Sequence, residues 1–321
     1  MSDREGLEWL VSKAVLAPSS HNTQPWRFRL GEGRIELWAD RLRALPANDP
    51  EDRELTISCG CALSSLRVAA AHRGLATQVR VLPDPADPDL LASIQIEPAP
   101  VTAGHHEAAL FPFLERRRTW RKRFAPEPVP QSVVETLRAA AAEEGAWLYP
   151  LPRDGVRRAA AALVAEGDLL QWANPSWRRE LAAWMHPRRR GDGLAVPGLV
   201  GPVAQWVVRT FDMGGGVGAR DEEVAKESPL LAVLGTDRDA VPDWLAAGQA
   251  LVRVLLTACR EGLQASHLNQ PIQVPSLRPK VQELVGSEGF PQLLLRLGYA
   301  VGEVPPSRRR PVADVIEPGD S

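Results

Sequence analysis

Cysteine is scarce in this chain of 321 residues. There are three, an odd number, so the sequence encodes no disulfide framework, and a reducing, cytoplasmic compartment is expected. Net charge is nearly absent as well. The 38 Lys+Arg stand against 40 Asp+Glu, a formal charge of −2, which excludes a surface built throughout for nucleic acid or anionic lipid. No apolar run approaches the ~20 residues of a membrane-spanning helix; Ala250–Cys259 is interrupted by Arg253. The first residues, Met1-Ser-Asp-Arg-Glu5, carry no apolar signal core. Metal-ligand patterns are also missing. Cys59 and Cys61 would fall on different faces of a helix, and the six histidines form no His-Glu-x-x-His pattern, so no metal is expected. The expected partner is a small molecule, with no nucleic acid and no membrane.

What is present is ordinary globular material, 44% hydrophobic and 24% charged, long enough for about two domains. Apolar spacing predicts a helix over Leu7–Ala17, stopped by Pro18. Trp26–Leu30 and Ile35–Trp38 read as a strand pair turning at Gly31-Glu-Gly33. A long helix follows over Ile57–His72, capped by Gly74, then strands over Gln78–Leu82 and Ser93–Glu97. The pattern partly restarts with a helix over Val133–Glu143, strands over Trp147–Leu151 and Leu230–Leu234, a long helix over Trp244–Arg260 capped by Gly262, and a buried strand over Leu293–Leu297.

The two long helices resemble each other. With residues 60–75 laid on 248–263, Gly60 meets Gly248, Ala62 meets Ala250, Leu63 meets Leu251, Ala70 meets Ala258, Gly74 meets Gly262 and Leu75 meets Leu263. Those are six identities in sixteen positions, where chance gives ~1–2. A duplication is expected, the alternative being coincidence between two helices that both need a glycine cap and a small-residue face; it would give two related halves joined near residues 100–115 and an internal two-fold pseudo-symmetry like that of a covalent dimer.

Four segments carry candidate chemistry. Arg116-Arg-Arg-Thr-Trp-Arg-Lys-Arg123 holds six cations and a hydroxyl, the set a phosphate dianion wants, although such runs are more often solvated surface. Ala17-Pro-Ser-Ser-His-Asn-Thr-Gln-Pro-Trp26 packs hydroxyls, amides and an imidazole between two prolines; a plain helix stop is its simplest reading. Gly262-Leu-Gln-Ala-Ser-His-Leu-Asn-Gln-Pro271 leaves the second long helix like a strand, and Pro305-Pro-Ser-Arg-Arg-Arg-Pro311 is an arginine-rich tail.

Together these segments resemble the FMN-dependent nitroreductase superfamily, and within it the single-chain, Acg-like branch. The motifs are Arg117-Arg118-Thr119-x-Arg121, with one extra residue before Phe124; Pro18-Ser-Ser-x-Asn22-x-Gln24-Pro-Trp26; Gly298-Tyr299; and the Pro305–Pro311 tail. The resemblance implies an α+β, nitroreductase-like fold of two tandem halves, 1–112 and 113–321, each a sheet flanked by helices, forming an intrachain pseudo-dimer. In the homodimeric family each flavin lies at the subunit interface. Here the Pro-Ser loop occurs only in the first half, and the arginine segment, helix exit and tail only in the second. One FMN per chain between the halves, and a monomer acting as an internal dimer, are therefore expected.

The resemblance assigns roles residue by residue. Arg117, Arg118 and Thr119 would bind the phosphate, and Arg309 with Arg308 would close it from the tail. Arg121 would reach the ribityl chain or pyrimidine end. Pro18, Ser19, Ser20 and Asn22 would line the ring edge, and Leu268, Asn269 and Gln270 would run under the ring. Hydride from NAD(P)H would reach flavin N5 and pass on to a nitro, quinone or similar acceptor, with no catalytic side chain required. A flavin-storage protein is the alternative, because residues 169–218, with Trp172, Trp177, Trp184, Trp206 and His186–Arg190, correspond to a lid in this branch. His21 and His267 are the histidines near the expected site, each read as making a structural hydrogen bond. Gly214-x-Gly216-x-x-Ala219, with Asp237 beyond it, imitates a dinucleotide fingerprint; the space for its helix is short, and a flexible loop is expected instead.

Overall fold

The computed structural model describes residues 4–98, 105–151, 155–185, 191–194, 201–286 and 289–317. The first part opens with helix α1 (Arg4–Ala14), then the hairpin β1 (Trp26–Gly31) and β2 (Arg34–Ala39), helix α2 (Arg53–His72), and strands β3 (Leu75–Val81) and β4 (Leu90–Pro98). Short helices α3 (His105–Ala108) and α4 (Phe111–Leu114) lead to α5 (Gln131–Ala142) and β5 (Trp147–Leu151). Helices α6 (Gly155–Ala173), α7 (Pro175–Trp184), α8 (Gly201–Thr210) and α9 (Gly214–Glu227) precede β6 (Leu230–Thr236) and the long α10 (Val241–Arg260). The chain continues through β7 (Leu263–His267), α11 (Gln270–Gln273), α12 (Arg278–Val285) and β8 (Phe290–Tyr299).

Among the described residues the strands form two antiparallel four-stranded sheets, in the orders β1-β2-β4-β3 and β5-β6-β8-β7. Renumbered within each half, these are the same order, 1-2-4-3. In each half a twenty-residue helix, α2 or α10, joins the second strand to the third. Shared order, shared strand directions and a shared long helix are what two copies of one α+β unit give.

Burial follows from the chemistry of the two helices. Residues of α2 such as Leu63 and Leu66 and of α10 such as Leu245, Val254 and Leu256 are at most 1% exposed, in one core that also takes Trp26, Phe28, Ile94 and Leu295 from both sheets. Each such side chain contributes about 1.5–3 kcal/mol on burial. The helices approach closely because glycine stands at their crossing: a Cβ on Gly248 would lie 2.0 Å from Ile57 O. Gly74 and Gly262 end the two helices with φ of 69° and 81°, the left-handed conformation that L side chains resist.

The sheets differ in their outer faces. In β2 core residues Ile35, Leu37 and Ala39 alternate with more exposed ones, as in a sheet with one solvated face. In β6 every residue is buried, because α6 and α9 cover its second face through Leu163, Val164 and Ala225. Those helices lie between β5 and β6, where the first sheet has only the hairpin after Gly31. The glycine-rich segment expected as a loop begins α9. A loop would expose it, whereas in the helix Gly214 and Gly218 sit 3.1 Å from Leu169 Cα and 3.0 Å from Ala165 O, distances measured from an added Cβ, so only small residues let α9 lie on α6. The apolar run before it is helix α8, so no dinucleotide-binding strand exists there.

The tail crosses from the second half to the first. Phe28 N donates to Val315 O at 2.7 Å and Glu317 N to Phe28 O at 2.8 Å, which closes the open edge of β1. Glu317 also pairs with Arg27 and Arg29. This crossing carries Arg308–Arg310 over the loop that follows α1.

Candidate functional site

The arginine segment owes its aim to strand geometry. Thr119 bridges to Ala265 of β7, Trp120 N donates to Ala265 O at 2.9 Å, and Arg118 N donates to Gln264 Oε1 at 2.8 Å. Extended backbone sends alternate side chains to opposite sides. Arg117, Thr119 and Arg121 therefore share one side and line a common cavity. Trp120 goes the other way and is 2% exposed, its Nε1 donating to Arg123 O at 2.9 Å. Arg118 lies in an adjoining cleft beside Leu16, Pro306 and Ser307, its guanidinium on the carbonyls of Glu115, Arg117 and Val304.

The loop after α1 supplies the opposite wall. Ser19 Oγ accepts from Gln24 N at 3.0 Å, and Ser20 Oγ donates to Glu54 Oε2 at 2.7 Å. Three of its residues have positive φ: His21 at 47°, Asn22 at 54° and Gln24 at 52°. Each such conformation costs on the order of 1–3 kcal/mol for a non-glycine residue. Asn22 and Gln24 are held there by their own amides. Asn22 Nδ2 donates to Gly193 O and Arg308 O at 3.2 and 3.3 Å, and its Oδ1 accepts from Arg309 at 3.1 Å. Gln24 Nε2 donates to Gly191 O at 2.8 Å, and Gln24 Oε1 accepts from Arg310 N at 2.9 Å.

Between these walls lies a cavity of about 360 Å³. Of the residues singled out from sequence, Pro18, Ser19, Ser20, Asn22, Arg117, Thr119, Arg121, Asn269, Gln270 and Arg309 line it. Three others lie beside it. Leu268 is 4% exposed in the core under the second sheet, Arg308 offers its carbonyl to Asn22, and Arg118 occupies the cleft described above. The lining also includes residues that sequence reasoning missed. Glu54, Ile57, Ser58 and Cys61 fall at helical i, i+3, i+4, i+7 spacing on α2, and Asp168, Gln171 and Asp221 come from α6 and α9. Glu54 and Ser58, one turn apart on the stripe that Ile57 and Cys61 share, were the available signal.

The cavity is cationic at its arginine wall. Burial pulls the Arg117 guanidinium down to about 10. Burial, with Arg117 and Arg118 nearby, pulls Arg309 down to about 9. Burial lowers Arg121 as well, although it opens into the cavity. Among the described residues Arg309 bonds only neutral oxygens, those of Asn22, Leu16, Ser307 and Arg308. Among the described residues, no carboxylate pairs with Arg117, Arg121 or Arg309. Another part of the lining is acidic. Gln270 Nε2 donates to Asp168 at 3.3 and 3.4 Å and to Asp221 at 3.0 Å. Burial, then the charge of Asp221, pushes Asp168 up to about 7. Glu54 is 2% exposed and accepts from Ser20, Asn269 and Gln273.

The helices between β5 and β6 roof the cavity. Trp172 and Trp177 line it and meet edge to face with centroids 5.5 Å apart. Trp177 Nε1 donates to Asn48 Oδ1 at 2.9 Å, and the Glu180 carboxylate accepts from Ala47 N and Asn48 N at 2.8 and 2.9 Å. Gly193 N donates to Asn22 O at 3.1 Å, and Asp192 pairs with Arg43. Trp184 lies against the Arg43 guanidinium, Trp206 is 58% exposed on α8, and His186–Arg190 lie outside the described residues. Where a mirror-related loop would follow α5, the chain turns at Gly145, and Glu144 pairs with Arg67 and Arg253.

No family model matches the chain. Among curated proteins, it is 34% identical over 324 residues to the Mycobacterium tuberculosis protein named "Putative NAD(P)H nitroreductase Rv3131", covering 98% of this chain and 92% of that one. It is 33% identical over 313 residues to "Putative NAD(P)H nitroreductase acg" of the same species, covering 95% and 93%. Among solved structures, an iodotyrosine deiodinase bound to FMN and 3-iodo-L-tyrosine aligns with a TM-score of 0.44 and 17% identity, over 63% of this chain and 95% of that one.

Proposed function

The chain belongs to the NAD(P)H nitroreductase family, and from that premise we propose that it binds one FMN between its halves and acts as an NAD(P)H-dependent oxidoreductase. The observation that carries this reading is the convergence of Arg117, Arg121 and Arg309 on one cavity without a carboxylate partner among the described residues. Arg117 is buried, and a buried cation left unpaired is costly by several kcal/mol. A phosphate beside these guanidiniums and the Thr119 hydroxyl removes that cost, so the donor set fits the group.

In this reading Arg117 and Thr119 hold the phosphate and Arg309 closes it from the tail, with Arg308 beside it and Arg118 in the adjoining cleft. Arg121 offers positive charge to the ring. Pro18, Ser19, Ser20 and Asn22 border the ring from the first half, and Asn269 and Gln270 border it from the second, with Leu268 buried behind them. Bound FMN would supply the redox chemistry, taking hydride from NAD(P)H and passing electrons to a nitro compound, quinone or similar acceptor. Trp172 and Trp177 exclude water from above. The ion pairs that fill the mirror position support a single site per chain and a monomer that acts as its own dimer.

A second reading, flavin storage, is favoured by the bonds that pin the roof: Trp177 on Asn48, and Gly191 and Gly193 on Gln24 and Asn22. The purified protein should be yellow, with an absorption band at ~450 nm. Anaerobic NADPH should bleach it. A band that persists under NADPH supports storage, and a colourless protein that takes up no FMN sinks both readings.

A further inference from the structure

Two histidines face the cavity and, among the described residues, neither makes the structural hydrogen bond expected of it. His21 comes from the first half's loop and His267 from the end of β7, and both line the cavity. In each the Nδ1 atom is enclosed by protein and has no hydrogen-bond partner. Nε2 is not enclosed in either ring and has no partner in the chain among the described residues, so it is the nitrogen left open to the cavity.

The surroundings fix the protonation state. Burial, then the charges of Arg117 and Arg121, holds His267 down to about 4. Burial outweighs the raising effect of Glu54 and lowers His21, with Arg121 acting in the same direction. Both rings are thus neutral near pH 7. A neutral imidazole carries one proton. An N–H enclosed at Nδ1 without an acceptor costs about 1–3 kcal/mol, so the proton belongs on Nε2, facing the cavity. His21 also holds a left-handed backbone, φ 47° and ψ 20°. Its neighbours Asn22 and Gln24 recover that strain through their amide bonds, and His21 has no such bond.

We propose that His21 and His267 are a pair of uncharged Nε2–H donors, one from each half, that bind the carbonyl oxygens of the flavin ring and so recognise the ring independently of its phosphate. This rests on the FMN reading above. The division of labour is chemical. Fixed guanidinium charge suits the phosphate dianion, and neutral donors suit carbonyls that stay uncharged. Either residue is a positioning group and supplies no proton to the reaction.

The test is flavin binding to the apoprotein, read by fluorescence quenching with FMN and with riboflavin, which lacks the phosphate. His267→Phe, and His21→Asn, whose side chain tolerates positive φ, should each weaken both ligands by the same factor, about 3–10-fold for a lost neutral hydrogen bond. Arg117→Met should weaken FMN far more than riboflavin. In the infrared spectrum of the loaded protein the ring carbonyl bands should shift to higher frequency in the histidine variants and stay in place in Arg117→Met. Histidine variants with wild-type affinity and unmoved carbonyl bands overturn the inference while leaving the FMN reading intact. A wild-type protein that binds neither flavin overturns the FMN reading first. A circular dichroism spectrum identical to wild type confirms that each variant is folded, and His267→Gln, which restores an N–H donor, should recover part of the binding.

Discussion

Gly60 and Gly248 meet where α2 crosses α10, and each rests on the backbone of the other's helix. A Cβ on Gly60 would lie 2.3 Å from Leu245 O, and one on Gly248 would lie 2.0 Å from Ile57 O. The residues of each contact, 60 with 245 and 248 with 57, exchange under the same shift of 188 positions that aligns the two helices in sequence. The crossing is therefore self-complementary, as at a two-fold subunit interface, although one polypeptide makes both sides.

Gly60→Ala and Gly248→Ala should both destabilise, because the added methyl meets backbone. Each should cost about 1–3 kcal/mol or more, and the double variant should be less than additive, since one separation of the helices relieves both clashes. Thermal unfolding followed by circular dichroism measures this. Gly216→Ala, in open space within α9, is the control and should raise Tm slightly through helix propensity.

Arg117→Met should leave the apoprotein at least as stable as wild type. The guanidinium is buried without a described anionic partner, so its removal breaks no ion pair and spares a desolvated charge. FMN affinity should fall by tenfold or more. A fall in apoprotein Tm of several degrees would show that Arg117 has a structural partner instead.

Asp168→Asn should change how stability depends on pH. Burial and the Asp221 charge raise the Asp168 carboxyl from 3.8 to about 7, so the folded protein binds this proton more tightly than the unfolded chain does. That contribution is fully present below the unfolded value and is lost as pH rises toward about 7. The variant and wild type should thus unfold at similar temperatures near pH 4, and the variant should gain steadily up to pH 7 and hold its advantage above it. A Tm difference that does not vary with pH counts against the raised carboxyl.

Trp177→Phe removes the indole N–H that reaches Asn48 at 2.9 Å while keeping an aromatic ring over the cavity. If that bond holds the roof down, the loaded variant should be reduced by NADPH severalfold faster than wild type in stopped-flow absorbance at ~450 nm. Equal rates would mean that the roof is held elsewhere, by Glu180 or the Gly191–Leu194 segment.

Much of this could be read from local pattern. Trp147–Leu151 is a strand at the expected bounds, and the long helices end at Gly74 and Gly262 as their positive φ requires. The glycine-rich 214–219 segment misled because glycine signals a turn from local entropy alone, and its use as a packing face for α6 depends on a neighbour elsewhere in the chain. In the arginine run, all the residues look alike in sequence. Only docking beside β7 as a strand separates Arg117 and Arg121, which enter the cavity, from Arg118, which does not.

The sequence by itself determined the long helices and most strands of the two sheets, the duplication and the donor types, because helix caps, apolar periods and motif composition act over a few residues. The shared cavity of loop and arginine strand followed from the motifs only through the resemblance, and the tertiary structure alone decided that Asp168 and Asp221 line that cavity too and that His21 and His267 leave Nε2 open. Those relations depend on the distance between residues up to about 290 positions apart, Ser19 and Arg309 among them, and such distances are set by how α2 packs on α10 and where the tail crosses.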